Sequence, residues 1–223
     1  SVSWLHNLVP QVVIQPASFT RTYSAGGITL TETLFPSFER AGGVAYYQSP
    51  APVRLVIRFR TDMRWMWPYD AQALGTLYYG FDRGLQALHV RNRQGSFACL
   101  FGSDAKPRVV LAGHFGRVDW LGGKLVGTPA TSHQIAFAAE YSVGGAEQNP
   151  LAFAFVGTNE GARVCDSDYR VLAGSPEATH RELKEHYRSL LDRTVSLTSP
   201  DAEINRHFKW AIAGTDRFVA PTP

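Results

Sequence analysis

The sequence predicts a mainly β protein: a large antiparallel β-sandwich followed by two α-helices. Three observations carry this. Apolar residues recur with period two through most of the first 170 or so positions. Glycine-rich turn signals cut that stretch into short pieces. After about residue 173 the apolar period changes to 3.6, and each of two segments opens with Ser-Pro and an acidic residue.

The strand signal is clearest at Val53–Arg60. Val53, Leu55, Ile57 and Phe59 alternate with Arg54, Arg58 and Arg60, the pattern of a strand with one buried and one wet face. Gly27–Phe35 sets Ile28, Leu30 and, less regularly, Leu34 against Thr and Glu. Further strands are expected at 12–15, 18–23, 44–48, 76–81, 85–92, 96–101, 108–115, 133–143 and 151–157. Ala25-Gly26-Gly27, Ala41-Gly42-Gly43, Asp82-Arg83-Gly84, Arg93-Gln94-Gly95 and Gly144-Gly145 read as the turns between them. Asp82-Arg83-Gly84 and Arg93-Gln94-Gly95 fit short hairpin loops with Gly in the left-handed position.

Ala173-Gly174 closes the β region, giving an expected sandwich over 1–173. Ser175-Pro176-Glu177 then starts a helix whose apolar face is Leu183, Tyr187, Leu190 and Leu191, so 174–198 reads as a helical linker. Ser199-Pro200-Asp201 repeats the start signal, with Ser as N-cap, Pro at the first helical position and Asp in the first turn. The second helix is expected from Ser199 to about Phe218. Its face of Ile204, Phe208, Ala211 and Ile212 needs a partner that the preceding β residues do not supply. Residues 199–223 therefore read as the start of a truncated α-helical domain, with Ile204, Phe208 and Ile212 at a domain interface.

Composition narrows the function. With 44% hydrophobic and 18% charged residues the chain is a globular one. Its formal net charge is +3, and the basic residues are scattered, which argues against nucleic acid. Cys99 and Cys165 are too few for a disulfide scaffold, and Cys99 reads as a small buried side chain. No apolar stretch is long enough to span a membrane. No signal peptide is visible, which reads as cytoplasmic, although the chain begins at Ser1 without Met and leaves room for an upstream piece. The seven histidines show no ligand spacing, and neither a metal nor a cofactor is expected.

Two segments resemble a known group. Gly27–Phe35 looks like the early strand of the N-terminal sandwich of bacterial glycogen-debranching and glucoamylase-like glycosidases. Leu190–Ala211, with Ser199-Pro200-Asp201 followed by Ile204-Asn205, is similar to the linker and first barrel helix of amylo-α-1,6-glucosidase-like proteins. The resemblance implies a sandwich, a helical linker and then an (α/α)6 barrel. It places the family's acid and base carboxylates in that barrel, beyond Pro223, so no catalytic residue is expected in this chain.

The remaining candidates follow from chemistry. Asp62-Met63-Arg64-Trp65-Met66-Trp67-Pro68-Tyr69-Asp70 concentrates aromatic rings that stack on sugar faces and carboxylates that accept from hydroxyls. Asp62, Trp65, Trp67, Tyr69 and Asp70 are thus expected to bind substrate or, more plainly, to anchor the next domain. Phe115–Gly123, with Trp120, is a weaker loop of the same type and reads first as an ordinary connection. The pairs Asp62/Asp70 and Asp166/Asp168 are close in sequence, which says little about the separation a glycosidase needs. Two function classes stay open. One is a non-catalytic module supporting its own barrel and lining an α-glucan cleft. The other is an autonomous carbohydrate-binding or interaction domain.

Overall fold

The computed structural model describes residues 3–61, 75–131, 134–145 and 150–216. A short 3-10 turn at Leu5–Asn7 precedes the first strand. The strands are β1 (Gln11–Gln15), β2 (Ser18–Ala25), β3 (Ile28–Pro36), β4 (Gly42–Gln48), β5 (Val53–Thr61), β6 (Leu77–Asp82), β7 (Ala87–Asn92), β8 (Ala98–Gly102), β9 (Val109–Gly113), β10 (Phe115–Leu121), β11 (Lys124–Pro129), β12 (Ile135–Val143) and β13 (Leu151–Thr158). The helices are α1 (Ala162–Gly174), α2 (Pro176–Arg193) and α3 (Ala202–Asp216).

All strand pairings are antiparallel. An eight-stranded sheet runs β1-β2-β3-β4-β13-β8-β7-β6, and a three-stranded sheet runs β5-β12-β9. The two enclose an apolar core in which Phe59, Phe137, Tyr141 and Phe153 meet edge-on or tilted. β5 behaves as its alternation requires: Val53, Leu55, Ile57 and Phe59 all belong to this core. β12 is its centre, and only Ser142 of its nine residues is exposed. Phe137, Ala139, Tyr141 and Val143 face the large sheet, while Ala136 and Ala138 pack beneath Val118.

That outer cover is a β10–β11 hairpin, where a plain connection was expected. Gly122 and Gly123, at φ +56° and +81°, form its two-residue turn and match Gly26 and Gly27 between β2 and β3. The expected strand 108–115 divides at His114, whose carbonyl accepts from Ala130 N at 3.2 Å. Two other glycine readings change. The left-handed residue of the β6–β7 loop is Gln86, at φ +51°, and not Gly84. Gly42 and Gly43 lie within β4 rather than in a turn, and a Cβ on Gly42 would sit 2.4 Å from the Phe155 carbonyl.

Three helices follow the strands, one more than expected. α1 occupies residues that showed no strand signal and packs Cys165, Tyr169, Leu172 and Ala173 on the outer face of the eight-stranded sheet, against Val44, Leu100 and Val156. Cys165 is fully buried, whereas Cys99 is only half-buried; burial pushes their thiols up to about 12 and about 11. α2 starts with Pro176 at its first turn as predicted, and adds Leu183 and Tyr187 to the same core. Ser175 makes no side-chain cap bond there. α3 starts later than expected: the Asp201 carboxylate, not Ser199, caps it by accepting from Glu203 N at 2.8 Å. Ser199 is tied instead to Asn205, which donates to its carbonyl at 2.9 Å and accepts from its N–H at 2.8 Å. No helix among the described residues is long and apolar enough to cross a membrane.

Candidate functional site

Asp62, Trp65, Trp67, Tyr69 and Asp70 lie outside the described residues. The described residues before and after that segment are the buried Thr61, which ends β5, and Gly75, ahead of β6 at one edge of the eight-stranded sheet. The second carboxylate pair is on α1 and is divided between two arginines: Asp166 lies 3.3 Å from Arg91, and Asp168 lies 3.7 Å from Arg40.

The expected interface residues sit on α3 with graded cover. Ile204 is 49% exposed, and Phe208 and Ile212 are half-buried. One residue along, Ala213 is buried in the helix-side core, and His186 on α2 holds Asp216 at 2.8 Å. The inner side of α3 is therefore docked on α2, and the Ile204 end stays open. Val195 and Leu197, in the connection before it, are also exposed.

The polar geometry lies on the opposite side, where the hairpin covers the three-stranded sheet. Arg54, Arg58 and Arg60 were expected to face water. They are exposed as expected, and they also reach the cover with their guanidinium groups. Arg58 donates to the Val118 carbonyl at 2.7 Å, and Arg60 donates to the Gly116 carbonyl. Glu140 is 1% exposed and receives both Arg54 and Arg108, the latter at 3.4 Å, on the same carboxylate oxygen. Asp119 lies 2.5 Å from Arg117 and 3.9 Å from Arg58.

Two indoles complete this surface. The Arg58 guanidinium lies 4.0 Å from the Trp4 ring centroid, and that of Arg54 lies 5.3 Å from Trp120. Trp4 walls two adjoining clefts of about 520 and 490 Å³; the first holds Arg58 and Asp119, the second Arg54, Glu140 and Trp120. Aromatic walls with ionic groups can hold a polyhydroxylated ligand, but here each ring already carries a cation on one face. The carboxylates serve arginines, so the arrangement braces the hairpin and carries no acid–base pair. Sequence reading missed Trp4, which stands alone, and held Trp120 only within a loop read first as an ordinary connection. The available signal was the outward arginine row of β5, which needs counter-charges and flat partners. Among the described residues no three His, Cys, Asp or Glu side chains converge as metal ligands would.

No family model matches the chain. No curated protein matches it either. Among solved structures, the fold is similar to that of a protein described as a kojibiose phosphorylase from the human microbiome, at 8% identity and a TM-score of 0.55, over 94% of this chain and 29% of the other. It is also similar to a bacterial glucoamylase complexed with acarbose, at 8% identity and a TM-score of 0.56, over 81% of this chain and 29% of the other. At such identity the likeness is one of fold. The chain spans 29% of the length of either protein and shares its architecture with a part of each.

Proposed function

We propose that this chain is the non-catalytic sandwich module of an α-glucan-acting glycoside hydrolase of the glycogen-debranching, amylo-α-1,6-glucosidase-like kind. The observation that carries the reading is the fold shared with a part of a bacterial glucoamylase, combined with the exposure of Ile204 on α3. In this reading Ile204, Phe208 and Ile212 seat an (α/α)6 barrel, and the acid and base carboxylates belong to that barrel. The segment Asp62–Asp70 anchors the barrel or lines its cleft. The protein works without a cofactor, in the cytoplasm.

The purified chain should not hydrolyse maltooligosaccharides, isomaltose or limit dextrin. Turnover that disappears with Asp62→Asn or Asp70→Asn would overturn the proposal by locating the chemistry here. Ile204→Glu should leave the melting temperature of this chain unchanged and lower that of a protein carrying a barrel after α3. An autonomous carbohydrate-binding domain is the second reading, and the Trp4–Trp120 cleft favours it. It requires α-glucan binding by the isolated chain that weakens on Trp120→Ala. If binding instead falls by about 1–3 kcal/mol on Trp67→Ala, the Asp62–Asp70 segment is the sugar contact.

A further inference from the structure

Strand β1 ends the eight-stranded sheet with all five of its residues exposed. Val12, Val13 and Ile14 are 48%, 55% and 59% exposed. An edge strand presents a row of unpaired N–H and C=O groups, and proteins ordinarily blunt it with a lysine, a proline, a bulge or a covering element. Among the described residues β1 has none of these. Pro10 and Pro16 bound the strand but do not interrupt it. Its pairing with β2 is regular from Gln11 opposite Thr22 to Gln15 opposite Ser18, without a bulge. Neither face is covered by the described residues. Val12 and Ile14 stand opposite Arg21 and Phe19, on the side of the inter-sheet core but outside it. Val13 stands opposite Thr20 on the helix side.

The strand is also self-complementary. Gln11-Val12-Val13-Ile14-Gln15 reads nearly the same in both directions about Val13. A two-fold interface requires one patch to complement itself. Antiparallel pairing about Val13 meets that requirement: Val13 opposes Val13, Val12 opposes Ile14 on one face, and Gln11 opposes Gln15 on the other. No charge lies between Gln11 and Gln15, and the nearest cation, Arg21, is drawn toward β3 by Glu32, to which its Nε donates at 2.5 Å. Like charges therefore do not meet across the axis.

We propose that β1 is a dimerisation strand, pairing antiparallel with β1 of a second copy about a two-fold axis at Val13 and joining two eight-stranded sheets edge to edge. Five residues on each side make an interface below the standard size, so the association is concentration-dependent.

Sedimentation velocity of the chain across a roughly hundredfold concentration range tests this. The expected result is a monomer–dimer equilibrium. Val13→Lys and Val13→Glu each place like charges face to face on the axis and should weaken association about tenfold or more. Because Val13 is exposed, both variants should melt as the parent does. An equimolar mixture of the two sets Lys against Glu and should recover the dimer. A parent that stays monomeric throughout overturns the proposal. So does a dimer that survives both variants, or a mixture that stays monomeric. Hydrogen exchange supplies a further check. Slow exchange of the outward β1 amides in a monomer would mean that residues of the same chain cover the strand, and would also overturn it.

Discussion

Arg54→Met should destabilise the protein more than Glu140→Met, although both break the same ion pair. The asymmetry comes from which charge is left behind. Glu140 is 1% exposed, whereas the side chains of Arg54 and Arg108 are 56% and 59% exposed. Removing one partner of a buried pair costs about 3–5 kcal/mol when the orphaned charge stays dry. After Arg54→Met the orphan is the buried carboxylate, but Arg108 remains 3.4 Å from the same oxygen and offsets part of that cost. The loss should be about 2 kcal/mol, with about 0.5 kcal/mol more from the Trp120 stacking that also goes. After Glu140→Met the orphans are two half-exposed guanidiniums that recover water, and the pocket receives an apolar chain of similar length. That loss should be about 1 kcal/mol or less. For a domain of this size each kcal/mol moves the melting temperature by about 2–4 °C, so the two variants should differ by several degrees. Urea unfolding of both variants, with the double variant to close the cycle, measures the difference. If Glu140→Met costs as much as Arg54→Met, the site of the orphaned charge does not govern this network.

Three further perturbations follow from the packing. Gly42→Ala should cost about 2–3 kcal/mol in chemical denaturation, because its Cβ would fall 2.4 Å from the Phe155 carbonyl and 2.9 Å from Leu172 Cδ1; a loss below about 0.5 kcal/mol would show β4 and β13 to be less closely apposed. Tyr141→Phe should leave stability unchanged or raise it by up to about 1 kcal/mol, since the hydroxyl is buried with no hydrogen-bond partner among the described residues; a comparable loss would reveal a bond. Burial, helped by Lys184, holds His180 below its ordinary 6.5, so the unfolded chain takes up the proton first and stability present above about 6.5 is lost as the pH falls through that value. His89 shifts in the same direction through burial and Arg91, against Asp82 and Asp166. His180→Phe should therefore flatten the stability profile between about pH 7 and 5.5, and an unchanged slope would exclude its contribution.

The fold was legible where one physical demand set the pattern. β5 has a dry face and a charged face, so its alternation identified Val53, Leu55, Ile57 and Phe59 as core. The charged face is exposed as the alternation implied; what alternation cannot show is that Arg58 and Arg60 also donate to carbonyls of a neighbouring hairpin. β10 and β11 escaped notice because Gly116, Arg117 and Asp119 resemble a loop, while Val118 alone among β10's residues is buried. α1 escaped because its N-cap is Gly161, at φ +95°, with no side-chain cap and no acidic residue in its first turn. Its face of Cys165, Tyr169, Leu172 and Ala173 was nevertheless present at helical spacing. For the site, the sequence indicated α3, whose Ile204 is exposed. It gave no hint of Trp4, nor that folding places Trp4 and Trp120 on one cleft.

The strand order of the large sheet has a consequence for synthesis. β1–β4 pair in sequence, as do β6–β8, but the two groups do not touch through strand pairing until β13 enters between β4 and β8. A ribosome that has released residues up to about 150 has thus made two half-sheets, each with a long unpaired inner edge. Val44 on one and Leu100 on the other have no strand partner on that inner side until Ala154 and Val156 arrive. Those edges are the molecule's most vulnerable surfaces during translation, because open strand edges recruit any chain nearby. Truncations ending before Thr158 should therefore aggregate, whereas loss of α3 alone leaves the sheet closed.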